Sequence, residues 1–154
     1  MKLLSKNLND TEKLAKIIAK LVNKGDTILM NADLGGGKTT FTQFFAKALN
    51  IKETVTSPTF NIVKCYFNGD LPLCHIDAYR LEGIKNDIGL DEYLAGDFVS
   101  IIEWGEFIKY LLPEERLEIN ITRIGDNERD IEVKGVGEHF KEIEKEVEKQ
   151  WAIN

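Results

Sequence analysis

Apolar positions along the chain follow two rhythms, one helical and one strand-like. Between Asp10 and Lys24, Leu14, Ile17, Ile18, Leu21 and Val22 recur at the three- and four-residue spacing of one helical face. Asn9 or Asp10 can cap that helix and Gly25 ends it. Thr27-Ile28-Leu29-Met30 is a short apolar run suited to a buried parallel strand. A glycine-rich turn follows, then a second amphipathic helix through Phe41, Phe44, Phe45, Ala48 and Leu49. Phe60 to Phe67 reads as a strand, and Asn68-Gly69-Asp70 signals a hairpin turn into Leu73-Cys74-His75-Ile76-Asp77. The stretch from Glu82 to Gly96 predicts a loop and a short helix. Phe98 to Ile102 predicts another buried strand, ending in Glu103. A short helix runs from Trp104 to Pro113, and Leu117–Thr122 and Asp130–Lys134 form a second hairpin around Gly125-Asp126-Asn127. From Glu138 the chain predicts a charged amphipathic helix with Phe140, Ile143, Val147 and Trp151 on its apolar stripe.

Strand–loop–helix units mixed with hairpins imply the α/β class: a sandwich built on a mixed, partly parallel central sheet with flanking helices. At 154 residues the expected organisation is one domain, with a core over residues 1–137 and the charged helix over 138–154. Apolar residues make up 43% and charged residues 30%, which excludes a disordered or fibrous chain. No apolar run approaches the roughly 18 residues a membrane helix needs, and Met1 to Lys6 turns polar too early for a signal peptide. A cytoplasmic protein without a membrane partner is expected. Cys65 and Cys74 are the only cysteines and lack zinc-site or redox-pair spacing, so two reduced, half-buried thiols are expected.

With 26 acids against 20 bases the net charge is −6, which argues against RNA as the main partner, since such binding rests on a basic surface that releases counterions. The four arginines are Arg80, Arg116, Arg123 and Arg129.

The candidate chemistry sits in Ala32-Asp33-Leu34-Gly35-Gly36-Gly37-Lys38-Thr39-Thr40. The phosphate-loop pattern G-x-x-x-x-G-K-[ST] is met by Gly37-Lys38-Thr39, while Ala32 occupies the first glycine position. A strand precedes the loop and a helix follows it. Glycines let the backbone wrap a phosphate, and the exposed N–H groups at a helix N-terminus attract the anion. Lys38 then reaches the β- and γ-phosphates, and the Thr39 hydroxyl is a Mg²⁺ ligand. The plain alternative is a glycine-rich turn with an incidental lysine.

Such a site needs carboxylates at the carboxyl ends of neighbouring strands. Glu103 and Asp77 both qualify, and strand alternation puts His75 on the side of Asp77. The plain roles are a strand-end acid meeting solvent for Glu103, an ion pair with Arg80 for Asp77, and a hydrogen-bonded structural role for His75. Trp104, next to Glu103, is either a core residue or a lid and contact residue.

The order of these elements resembles one family. After the phosphate loop come Ser57-Pro58-Thr59-Phe60, His75-Ile76-Asp77-Ala78-Tyr79-Arg80-Leu81, Ile102-Glu103-Trp104 and Leu112-Pro113. Together they resemble the TsaE (YjeE) family, small bacterial P-loop ATPases of tRNA threonylcarbamoyladenosine biosynthesis, from about residue 8 to about residue 134. The chain departs from the family pattern at Ala32, at Gly36 where alanine is usual, at Ala78 within the His-x-Asp element, and at Gly105 where proline is frequent. None of these removes a polar atom. The resemblance implies ATP and Mg²⁺ as cofactors, slow hydrolysis, and action on a TsaB–TsaD heterodimer that the ATPase resets between turnovers, with tRNA touched only indirectly. It implies that Gly35, Gly36, Gly37, Lys38, Thr39 and Thr40 hold the nucleotide, that Thr39 and Glu103 hold Mg²⁺, and that Asp77, with Lys38, serves the reaction at the water or the metal's shell. Arg129 falls near the nucleotide and Thr11 near the base. Ser57, Pro58 and Thr59 form a nucleotide-sensing switch, and Trp104 is a partner contact.

Two other functions compete. A small P-loop metabolite kinase would need an arginine-bearing lid, for which four arginines offer little material. A nucleotide-dependent binding module would use the same site without essential hydrolysis.

Overall fold

A computed structural model describes residues 1–32, 37–58, 61–83, 89–94 and 96–153. Seven strands form one sheet in the order β1-β7-β6-β2-β5-β4-β3. They are β1 (Lys2–Ser5), β2 (Thr27–Ala32), β3 (Val63–Tyr66), β4 (Leu73–Asp77), β5 (Val99–Glu103), β6 (Arg116–Arg123) and β7 (Arg129–Val136). The helices are α1 (Leu8–Leu21), α2 (Lys38–Ala48), α3 (Leu90–Leu94) and α4 (Glu138–Ala152).

The four central strands β6, β2, β5 and β4 run parallel, with Met30 opposite Glu103 and Asp77 opposite Glu103. The antiparallel strands flank them: β3 pairs with β4, β6 with β7, and β7 with β1. The mixed sheet and both hairpins therefore match expectation. The β1 strand, too short to announce itself, escapes the sequence reading. The burial of every residue of β4 and β5, and of Thr27 to Met30 in β2, is what strands covered on both faces require.

On one face, Leu14 and Ile18 of α1, Phe41 and Phe45 of α2, and Phe140 and Val147 of α4 pack with Ile28, Met30 and Ile101. The other face carries a smaller core in which Leu29, Ile76 and Ile102 meet Leu81, Leu90 and Ile108. Fully burying each such aliphatic side chain stabilises by about 1.5–3 kcal/mol. Helix α1 starts earlier than its apolar spacing suggests, because Asn7 is the cap and its side-chain oxygen accepts from the Asp10 N–H at 3.1 Å. The segment after Trp104 is a 3₁₀ helix, Gly105–Leu111, kinked at Ile108, and not an α-helix.

Cys65 and Cys74 depart from expectation. They stand opposite each other across β3 and β4, 4.2 Å apart at Cα, and are joined as a disulfide. Register across a hairpin, invisible in the linear spacing, brings them together. Among the described residues, no helix is long and apolar enough to cross a membrane.

Candidate functional site

The parallel strands β2, β4 and β5 all deliver their carboxyl ends to one edge of the sheet, and α2 begins there. Gly37 caps α2 with φ at 104°, a left-handed backbone that suits glycine. Gly37 has no side chain to cap the helix, so it leaves the N–H groups of the first turn open to another acceptor. Lys38 opens α2 and lies over the sheet edge, its Nζ 3.7 Å from Glu103 Oε1 and 4.5 Å from the centroid of the Trp104 ring.

Glu103 is 3% exposed and Asp77 4% exposed, so neither is a strand-end acid meeting solvent. The parallel register sets them side by side. Asp77 Oδ1 accepts from the Tyr79 N–H at 3.1 Å, and the Glu103 carbonyl accepts from the Ala78 N–H at 3.0 Å, tying both strand ends together. The hydrogen-bonding role expected of His75 has a specific recipient, because its Nε2 meets Glu103 Oε2.

Trp104 adopts the left-handed conformation, φ 59° and ψ 40°, which costs a bulky residue about 1–3 kcal/mol. That turn places its ring against the Lys38 ammonium, stacks it on Phe107 at 5.8 Å and sets it against Tyr79 at a tilt, 5.1 Å between centroids. Gly105 follows because a Cβ there would overlap the Leu29 side chain beneath it.

On the far side of the α2 N-terminus lies a cavity of about 140 Å³ lined by Asn7, Thr11, Gly37, Thr40, Asp126, Asn127 and Arg129. Thr11 and Arg129 thus meet Thr40 although they are far apart in sequence. Arg129 Nη1 donates to the Gly125 and Glu128 carbonyls at 3.0 and 2.9 Å, which fixes its guanidinium beside the hairpin turn. Thr11 shares a hydrogen bond with Ser5 at 2.9 Å. A second, larger cleft of about 600 Å³ opens beside Lys38 and Trp104, lined also by Asn31, Glu106, Asn120 and Thr122.

Ser57 is exposed and Pro58 buried. The Pro58 carbonyl accepts from the Asn61 and Ile62 N–H groups, and the Ile62 carbonyl accepts from the Asp77 N–H at 2.8 Å. The Ser57-Pro58 segment is therefore joined through the backbone to Asp77. Gly35, Gly36 and Thr59 lie outside the described residues. Among the described residues no three His, Cys, Asp or Glu cluster to hold a metal ion. The oxygen donors that this end of the sheet offers, the Asp77 and Glu103 carboxylates, are of the hard kind that Mg²⁺ takes together with phosphate.

Sequence reasoning did not single out Asn7, Asp126 and Asn127 as pocket residues. Asp126 and Asn127 already had a sufficient local explanation as turn residues, and Asn7 lay before the expected start of the first helix. The chain of hydrogen bonds from Asn31 to Asn120 and on to Glu132 left no signal at all, since it crosses three strands.

Comparison with known proteins bears on the family and the fold. The family model described as "Threonylcarbamoyl adenosine biosynthesis protein TsaE" matches residues 5–131. The chain is 47% identical over 135 residues to the tRNA threonylcarbamoyladenosine biosynthesis protein TsaE of Bacillus subtilis, covering 88% of this chain and 85% of that protein. It is 36% identical over 135 residues to the protein of the same name from Treponema pallidum, covering 86% and 99%. Its fold superposes on the crystal structure of Bacillus subtilis YdiB with a TM-score of 0.83 at 39% identity, covering 97% of this chain and 95% of that one. The P-loop-like α/β fold and the sequence matches together place this chain in the TsaE family, with a role in tRNA threonylcarbamoyladenosine biosynthesis.

Proposed function

We propose that this protein binds ATP with Mg²⁺ and hydrolyses it slowly, supporting N6-threonylcarbamoyladenosine formation at position 37 of tRNA by acting on a TsaB–TsaD heterodimer. The observation that carries this reading is Lys38 at the N-terminus of α2, 3.7 Å from a buried Glu103. A cation and a carboxylate held so close at the carboxyl edge of parallel strands suit a phosphate–metal pair.

In this reading the N–H groups of Gly37, Lys38, Thr39 and Thr40, with Gly35 and Gly36, cradle the phosphates. Lys38 leaves Glu103 and follows the β- and γ-phosphates. Thr39 Oγ1 and Glu103 hold Mg²⁺, which when bound draws charge from the phosphates. Asp77 orients the attacking water and receives its proton. Arg129 and Thr11 flank the nucleoside. Ser57, Pro58 and Thr59 report the γ-phosphate, because their segment is joined to Asp77 through Ile62. The exposed Tyr79 and the Trp104 stack present that state to the partner.

A phosphate-release assay with and without the heterodimer tests the reading. Release that rises with the heterodimer and falls in Asp77→Asn supports it, whereas release that is absent in every condition overturns the hydrolysis. Tighter heterodimer binding with a non-hydrolysable ATP analogue than with ADP supports the switch, and equal affinity overturns it. Binding to bare tRNA is expected to be weak and to fall with salt. One observation favours a small metabolite kinase as the second reading: the cleft of about 600 Å³ beside Lys38 has room for an acceptor. Phosphate recovered on a metabolite instead of free in solution would select it.

A further inference from the structure

The buried face of β4 and β5 contains one contact that the phosphate chemistry above leaves unused. His75 is fully buried and lies one strand repeat before Asp77, on the same face. Its Nε2 meets Glu103 Oε2, while its Nδ1 has no hydrogen-bond partner among the described residues. The two oxygens of Glu103 are thus divided: Oε2 faces His75 and Oε1 faces Lys38 at 3.7 Å.

We propose that His75 is a positioning residue, donating from Nε2 to Glu103 Oε2 and so aiming Oε1 at the phosphate-loop end of the site. This rests on the reading of Glu103 as the carboxylate on the metal side. A glutamate side chain has three torsions, and a buried one without a donor is both costly and free to turn. A hydrogen bond to the charged group removes both problems. A carboxylate oxygen only accepts, so the ring nitrogen that meets it, Nε2, is the donor. A bare lone pair is the cheaper atom to bury alone, and Nε2 has a carboxylate to receive its proton. The nitrogen facing the site is therefore a donor and is not available to take a proton from water. The arrangement also explains how Lys38 can move to a phosphate without releasing Glu103. One oxygen stays with His75 while the other becomes available.

The test is ATP binding by calorimetry across a Mg²⁺ titration and in EDTA, for the wild type, His75→Leu, His75→Gln and Glu103→Gln. Leucine keeps the volume and removes the donor, and glutamine restores a donor nitrogen at similar reach. His75→Leu is expected to raise the Mg²⁺ concentration for half-maximal binding about tenfold, as loss of an outer-shell partner does. Affinity in EDTA stays unchanged, and His75→Gln recovers most of the loss. An unchanged Mg²⁺ requirement in His75→Leu, an equal loss in EDTA, or a glutamine variant no better than leucine overturns the proposal. If Glu103→Gln alone alters the Mg²⁺ requirement, only this proposal falls. If Glu103→Gln alters nothing, the function reading falls first and the aim assigned to His75 falls with it. Should His75→Leu not fold, the ring ¹⁵N shifts of the unmutated protein decide. A protonated Nε2 beside a bare Nδ1 supports the proposal, and the opposite tautomer overturns it.

Discussion

Two groups of side chains lie at the N-terminal end of α2, and they are built in opposite ways. The acidic one stands on adjacent parallel strands, where Asp77 and Glu103 are in register, nearly sealed from solvent and tied through the backbone. The other gathers Asn7 and Thr11 from the start of α1, Thr40 from α2, and Asp126, Asn127 and Arg129 from the β6–β7 turn. Strand registers hold carboxylates to fractions of an ångström, as charge placement for phosphate chemistry demands. Turn and helix-end residues form a looser wall, adequate for flanking a nucleoside. The difference teaches that precision is concentrated where charge changes hands.

That contrast can be broken by substitution. The largest effect is expected at the shared point, where Lys38→Ala removes the cation and leaves the loop amides. ATP affinity by calorimetry with Mg²⁺ should fall about a hundredfold, in line with roughly 1.5–3 kcal/mol per hydrogen bond to a charged group. Unaltered affinity would remove the phosphate loop from the account.

Next in size, Glu103→Gln should raise the Mg²⁺ requirement about tenfold while binding in EDTA changes less, because the neutral amide keeps the shape and loses the charge. On the opposite wall, Arg129→Ala should weaken nucleotide binding severalfold and to the same extent with and without Mg²⁺. If Arg129→Ala proved Mg²⁺-dependent and Glu103→Gln did not, the division between the two groups would be reversed.

The smallest effect lies away from both groups and calibrates them. Burial pushes the Glu144 carboxyl up, but the Gly135 N–H, the N-terminal ammonium and Lys134 outweigh it, so its pKa lies below the ordinary glutamate value. A carboxylate lowered on folding stabilises the protein above its unfolded pKa, and that stability is lost as pH falls through the folded value. Glu144→Gln should cost about 1 kcal/mol in denaturant unfolding at neutral pH. The deficit should shrink in acid, with ATP affinity unchanged throughout.

Much of this was legible in the residues. The buried strands announce themselves as apolar runs, and Gly37-Lys38-Thr39 between a strand and a helix marks the loop. Glu103 and Asp77 stand out as acids that end apolar runs. What escaped has a common cause. The Asn7 cap, the His75–Glu103 contact and the Cys65–Cys74 bridge depend on which residue sits beside which, and linear spacing holds no record of that. The short helix expected after Trp104 is present, and its 3₁₀ form with a kink at Ile108 is a detail that spacing does not record.

By itself, then, the sequence determined the α/β class, the order of elements and the residue types capable of phosphate chemistry, because burial and glycine conformation act over a few neighbouring residues. Only the tertiary structure decided that Glu103 faces Lys38 with one oxygen and His75 with the other, and that Thr11 and Arg129 share a cavity with Thr40. Those relations are set by strand register and by helix packing on the sheet, which sum contacts over the whole chain and are fixed only when it closes.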